Sequence, residues 1–449
     1  GNSIANSEVK VPPVKKFRKI LIANRGEVAI RLIRGVREMG MKSVAVFSDA
    51  DRDSLHVFLA DEAYNIGPAP SRDSYLNIEK ILAAAKQAQV EAIHPGYGFL
   101  SESAQFAEAV EKAGFVFIGS TVANLALAAN KTKLTEALKK VGLQSLDAEQ
   151  MALIRTPKHI EIQVLGDSFG NVVHLFEREC SIQRKNRKIL EEAPSPSLSE
   201  KLRQELCNLV VQAAKSIGLL GSGTFEFVLD VDNQKFYFTK LNARLQLSHP
   251  ITELTTGVDI VKEQINIAQG LKLDFAQKDI IQKSHAIEVR VYAEDPSNYT
   301  PCPGVIRACR HPQGPFLRVD SYAYPGYEIP IFYSPMFAKV ITWGEQRSDA
   351  INRMQRALAE FILTGVKTNI VLHRSILEHP RFLDGSYSLQ FLEKDFILTQ
   401  PEIFRHVDDH VFLIAAAITA YQERKSKQMK DSPSLWHQTA RRQSLRQNT

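Results

Sequence analysis

The chain has 449 residues, 24% of them charged and 44% hydrophobic, which is the profile of a globular protein long enough for roughly three domains. Its formal charge of +6 comes mostly from the segment Arg424 to Arg446, so the body is close to neutral and lacks the basic stripe that a nucleic-acid-binding domain needs. Four cysteines without a CxxC pair exclude a disulfide framework and read as buried thiols in a reducing, cytoplasmic setting. No apolar run is long enough to span a membrane, and residues 1–16 read as a flexible lead.

Residues 17–120 alternate strand and helix. The apolar run Lys19 to Ala23 precedes Asn24-Arg25-Gly26-Glu27 and an amphipathic helix with Ala29, Ile30, Ile33, Val36 and Met39 at helical spacing. A second apolar strand, Ser43 to Phe47, follows. This is the pattern of buried parallel strands with crossover helices, so the first domain is expected to be a doubly wound α/β unit. Ala92-Ile93 leads into the glycine-rich loop His94 to Gly98, where such sheets place ligands; a tight turn without a ligand explains that loop equally well.

Lys131 to Lys140 reads as a helix, whereas Val141 to Lys158 carries only weak signals. A hairpin is expected from His159–Val164 and Val172–Phe176 across the turn residues Gly166 to Asn171. The basic cluster Gln183 to Lys188 reads as a solvated loop after it. Leu202, Leu206, Leu209, Ala213 and Ile217 mark a helix face, and Thr224 to Phe227 another strand. Its Glu226 lies between aromatic residues, where burial is costly without a partner, so a ligand or cation role is expected.

The stretch Phe236 to Pro250, FYFTKLNARLQLSHP, runs from an alternating strand into a loop rich in polar side chains. Alternation allows Lys240, Asn242, Arg244, Gln246 and Ser248 to share one surface. The set holds one ammonium and one guanidinium but no carboxylate, so it suits an anion and offers no base. Downstream come a helix over Ile260–Gln269 and strands near Ala286–Ala293, Val305–Cys309 and Arg318–Asp320. A helix with Ile351, Met354, Leu358 and Phe361, a final α/β segment ending near Phe396, and an apolar helix at Val411–Tyr421 complete the chain.

ANRGEVAIR at Ala23, GPAPSRDSYLNI at Gly67, AIHPGYGFLSE at Ala92, HIEIQVLGDSFGNVVHL at His159, EEAPSPSL at Glu191, GTFEF at Gly223 and GVKTN at Gly365 together resemble biotin carboxylase, the ATP-grasp component of biotin-dependent carboxylases. The resemblance covers residues 17 to about 396. It implies a doubly wound N-terminal domain (17–131) and an ATP-grasp-like α+β remainder with the C-terminal domain (159–396), and it implies ATP, magnesium and biotin as the family's cofactors. Lys131 and His159 would face nucleotide phosphates, Gln183 and Lys188 the nucleotide and bicarbonate, and Glu226 and Asn242 a magnesium ion. Arg244 and Gln246 would grip bicarbonate, and Arg318 would stabilise the biotin enolate.

Three departures stand against these matches. The family's lid domain, with its glycine-rich phosphate loop, is absent from the short interval 132–158, a shortfall of roughly 70 residues. Lys240 stands where the family has a metal-binding glutamate; an ammonium there would repel a divalent ion by roughly 8 kcal/mol at 4 Å and an effective dielectric near 20, and it is expected to pair with Glu226 instead. Ser248 replaces the glutamate proposed as the base, a loss worth a factor of roughly 10² to 10⁴. Ser334 likewise replaces an aspartate. The sequence therefore reads as a catalytically deficient homologue with a structural or regulatory role, either as a homodimer or together with carboxylase subunits or an active paralogue. The alternatives are an active biotin carboxylase and a sensor of small anions, nucleotide or biotin. Residues 397–449 read as a terminal helix and basic tail.

Overall fold

The computed structural model describes residues 13–398 and 417–422. The N-terminal strands form a parallel sheet in the order Glu62–Asn65, Lys42–Phe47, Lys19–Ile22, Ala92–His94, Val116–Phe117. Ile20, Leu21 and Ile22 are all fully buried, as expected of a strand covered on both faces. The helix Gly26–Glu38 follows the first strand and buries Ala29, Ile30, Leu32, Ile33 and Val36. Gly26, at φ +66°, starts it in a backbone conformation that favours glycine, and a Cβ there would lie 3.2 Å from the Tyr322 ring.

The rest of the chain to Leu398 is built on an antiparallel sheet of eight strands. Their order is Lys235–Asn242, Gly221–Asp230, Pro157–Gly166, Val172–Arg184, Arg187–Ala193, His285–Tyr292, Met336–Gly344, Leu317–Ser321. Helix Glu200–Ser216 covers it, burying Leu206, Val210 and Ala213 in one cluster with Phe225 and Phe227 of the sheet and Leu21 and Val44 of the first sheet. That shared core seats the two sheets on each other.

Several expectations are corrected here. Gln183 to Lys188 is not a solvated loop. Gln183 pairs with Lys188 and Arg184 with Arg187 in a hairpin whose turn, Lys185-Asn186, has both residues at positive φ. Lys188 is thereby carried onto the sheet. Strand Met336–Gly344 has no counterpart in the sequence reading, and Val305–Cys309 is two short strands, Gly304–Val305 and Ala308–Arg310. Cys180 and Cys207 are buried, but Cys302 and Cys309 are partly exposed. The segment after Gly365 is helical, over Ile370–Glu378, Pro380–Leu383 and Phe391–Asp395. Of the expected helix at Val411–Tyr421, residues 417–421 are helical and the rest lies outside the described residues.

Between Lys131 and Pro157 the chain forms helix Lys131–Lys139 and one further short helix, Ala148–Ala152, before the strand begins. Among the described residues no helix is long and apolar enough to cross a membrane.

Candidate functional site

The register of the large sheet sets a row of charges across four strands. Lys240 lies opposite Glu226, Glu226 opposite Glu161, and Glu161 opposite Arg178. Two carboxylates directly opposite each other destabilise a sheet unless a cation joins them. Lys188 supplies it from the neighbouring hairpin, its Nζ bonding Oε1 of Glu161 and lying 3.3 Å from Oε1 of Glu226. Arg178, fully buried, holds the other side of Glu161 at 2.9 Å and also donates to Gln163 and Thr252.

Around this row a cavity of about 650 Å³ brings together most of the expected residues: His159, Gln183, Lys188, Glu226, Lys240, Asn242, Arg244 and Gln246. The side chains engage each other. Gln183 Nε2 donates to Nδ1 of His159 at 2.8 Å, which leaves the ring proton on Nε2, 2.9 Å from Oε2 of Glu226. Asn242 Nδ2 donates to Oε1 of Glu226, Gln246 Nε2 donates to Glu161 at 2.8 Å, and Arg244 Nη1 donates to Oε1 of Gln246 at 2.6 Å.

Burial by itself would raise the Glu226 carboxyl, but the His159 ring 2.9 Å away and the Lys188 charge outweigh it and hold the group at about 2. Burial would likewise raise Glu161; Lys188 and Arg178 bring it well below the ordinary carboxylate range. The Lys188 ammonium, which burial would lower, is raised by the same two carboxylates. Glu161, Glu226, Lys188 and Arg178 thus form a set of mutually paired charges.

Three expected residues do not line this cavity. Lys131 lines a neighbouring cleft of about 380 Å³ together with Glu102 and Lys240. Ser248 is fully buried ahead of helix His249–Thr256 and donates to Oε2 of Glu161 at 3.3 Å. Arg318 faces a separate cavity with Arg31 and Asp259; its fork is held by Asp320 at 2.8 and 2.9 Å and its Nη1 by Glu253 at 2.8 Å. Nor does Lys240 pair with Glu226. The oxygens of Glu226 are already occupied, and the Lys240 side chain, 53% exposed, carries its ammonium outward to within 3.9 Å of Glu102.

His159, Glu161 and Glu226 offer ligand atoms within 4.8 Å of one another. Magnesium requires oxygens free to approach at about 2.0–2.1 Å in octahedral geometry. Here both oxygens of Glu161 accept hydrogen bonds, from Lys188 and Gln246 on one side and from Arg178 and Ser248 on the other. Those of Glu226 face Asn242, Lys188 and His159. The space between these two carboxylates does not fit the ion, since the Lys188 ammonium already occupies it.

Glu161, Arg178 and Glu102 are the participants that the sequence reading passed over. Glu161 sits between Ile160 and Ile162 in an apolar strand, the same signal that singled out Glu226.

A parallel sheet joined to an eight-stranded antiparallel sheet, with a charged cavity on the latter, places the chain in the ATP-grasp class of α/β proteins. Family models for the biotin carboxylase N-terminal domain match residues 16–125, for the carbamoyl-phosphate synthase L chain ATP-binding domain residues 79–276, and for the biotin carboxylase C-terminal domain residues 288–394. The chain belongs to the biotin carboxylase family, which uses ATP, magnesium and biotin. It is 41% identical over 442 residues to biotin carboxylase 1 of Bacillus subtilis, covering 84% of this chain and 98% of that one. It is 42% identical over 444 residues to a pyruvate carboxylase subunit of Methanothermobacter thermautotrophicus, covering 84% and 90%. Among solved structures, the biotin carboxylase-beta-gamma-ATP complex from Campylobacter jejuni superposes with a TM-score of 0.81 at 36% identity, covering 84% of this chain and 98% of that one. The biotin carboxylase domain dimer of Hydrogenobacter thermophilus 2-oxoglutarate carboxylase, bound to MgADP and bicarbonate, gives 0.81 at 37%, covering 88% and 100%.

Proposed function

We propose that this chain is a biotin carboxylase homologue that no longer turns over, serving as a structural or regulatory component of a biotin-dependent carboxylase system. The observation that carries this reading is the length of chain between Lys131 and Pro157, which holds helices of 9 and 5 residues and nothing else. The alignment with the Bacillus subtilis relative supports it. That alignment runs over 442 positions, whereas 84% of the 449 residues here is about 377, so some 65 positions have no counterpart in this chain, about the size of a small domain. Without a lid, nothing closes over a nucleotide to exclude water and complete the catalytic set.

The two altered positions act on other steps. Lys240 puts a cation where the family resemblance calls for a metal ligand, and Ser248 is buried against Glu161 where it calls for a base. Loss of closure, charge neutralisation and proton transfer together is not repaired by retaining Arg244 and Gln246. Partners remain those of the family's systems; the relatives include one component of a pyruvate carboxylase and a domain dimer.

A second reading, an active biotin carboxylase, is favoured by one observation. His159, Gln183, Lys188, Glu226, Asn242, Arg244 and Gln246 still line one cavity, and the relatives carry the names of carboxylases. Bicarbonate-dependent ADP release with free biotin separates the two. The proposed function predicts no release above the enzyme-free rate, with or without carboxylase partners; turnover comparable to that of an active relative would establish the second reading.

A further inference from the structure

The positions of Lys240 and Arg244 suggest a use for the cation that stands at residue 240. Arg244 is oriented from within its own segment, its Nη1 donating to the Leu245 carbonyl at 3.0 Å and to Gln246 at 2.6 Å. Its buried Nε makes no aligned hydrogen bond, yet Oε1 of Glu102 lies 3.4 Å away. The same oxygen is 3.9 Å from Nζ of Lys240. Glu102 belongs to the N-terminal domain, just after the His94 to Gly98 loop, and reaches across to the sheet that carries both cations.

We propose that Lys240 and Arg244 form a two-cation site for a small monocarboxylate, and that the side chain of Glu102 is its resting occupant. Two cations against one carboxylate leave a net positive charge, and Glu226 does not compensate it because Lys188, Asn242 and His159 already engage its oxygens. The internal occupant also shows the chemistry that fits, a carboxylate on a short alkyl stem. Glu102 and Lys240 are 44% and 53% exposed at their side chains, so an external carboxylate has access and displaces a weakly held one. The inference rests on the reading that residue 240 no longer serves a metal ion, and it concerns binding rather than turnover.

Acetate, which reproduces the head group of Glu102, is the probe. Its binding to the full chain is followed by ligand-detected nuclear magnetic resonance in the absence of nucleotide, with thermal melting to show that each variant is folded. Glu102→Gln is expected to bind acetate about two- to fivefold tighter than the native protein, the range that release of an exposed ion pair allows. Lys240→Met on the Glu102→Gln background is expected to lose that gain, and Arg244→Met to remove binding. Equal or weaker binding by Glu102→Gln, an unchanged affinity when Lys240→Met is added to it, or no acetate binding by either the native or the Glu102→Gln protein would overturn the proposal. Bicarbonate-dependent ADP release by the native chain would instead sink the proposed function while leaving these binding results standing.

Discussion

Lys188 and Glu226 face each other at 3.3 Å inside the cavity, and the same ammonium bonds Glu161 from the other side. One cation thus bridges two carboxylates that the strand register sets directly opposite each other, with Arg178 as the second cation on Glu161. Removing Lys188 leaves both in a buried site. Lys188→Met is expected to cost about 3–5 kcal/mol of stability at pH 7, the range for breaking a buried ion pair, read from urea unfolding. Adding Glu226→Gln should recover part of that loss, because one of the two opposed charges is gone; a double variant as unstable as the sum of the singles would show that the pair is not coupled.

The same carboxylate predicts a pH dependence. Glu226 is held at about 2, below the ordinary glutamate range. A carboxyl depressed on folding stabilises the protein fully above its unfolded pKa, and this contribution is lost as the pH falls through the folded value. Stability should therefore decline between about pH 5 and pH 2, and Glu226→Gln should make that decline shallower. The check is a set of urea midpoints across that range.

Glu288 behaves in the opposite sense. It is fully buried, both its oxygens lack a hydrogen-bond partner, and it lies opposite Glu191 in the sheet. Burial pushes its carboxyl well above the ordinary range, and Lys339 only partly offsets that effect. The folded state therefore keeps a proton that the unfolded state releases, so stability falls as pH rises above the unfolded value near 4.5. Glu288→Gln removes that penalty. It is expected to raise the urea midpoint at pH 8 and leave it nearly unchanged at pH 4; equal shifts at both would rule out a titrating role.

The sequence reading places the first sheet and its helices well because Ile20 to Ile22 and Val44 to Val46 are apolar runs buried on both faces. It places most of the cavity residues because a family resemblance carries them there. Arg318 is expected at the same site, but Asp320, two residues along the same strand, and Glu253 hold its guanidinium over a different cavity. No local pattern announces that long-range partner. Lys240 is expected against Glu226, but the competition for the oxygens of Glu226 comes from Lys188 on a hairpin whose polar residues read as a loop. Glu161 is legible by the rule applied to Glu226, an acid in an apolar strand, and is passed over.

The central claim is that this cavity keeps the frame of a biotin carboxylase without its chemistry. Its most direct test is a single-turnover experiment with the full chain in excess over ATP, magnesium present, free biotin saturating and labelled bicarbonate, quenched and assayed for carboxybiotin. No labelled carboxybiotin above the ATP-free control is the predicted result, and stoichiometric formation at any rate faster than the background would contradict the account.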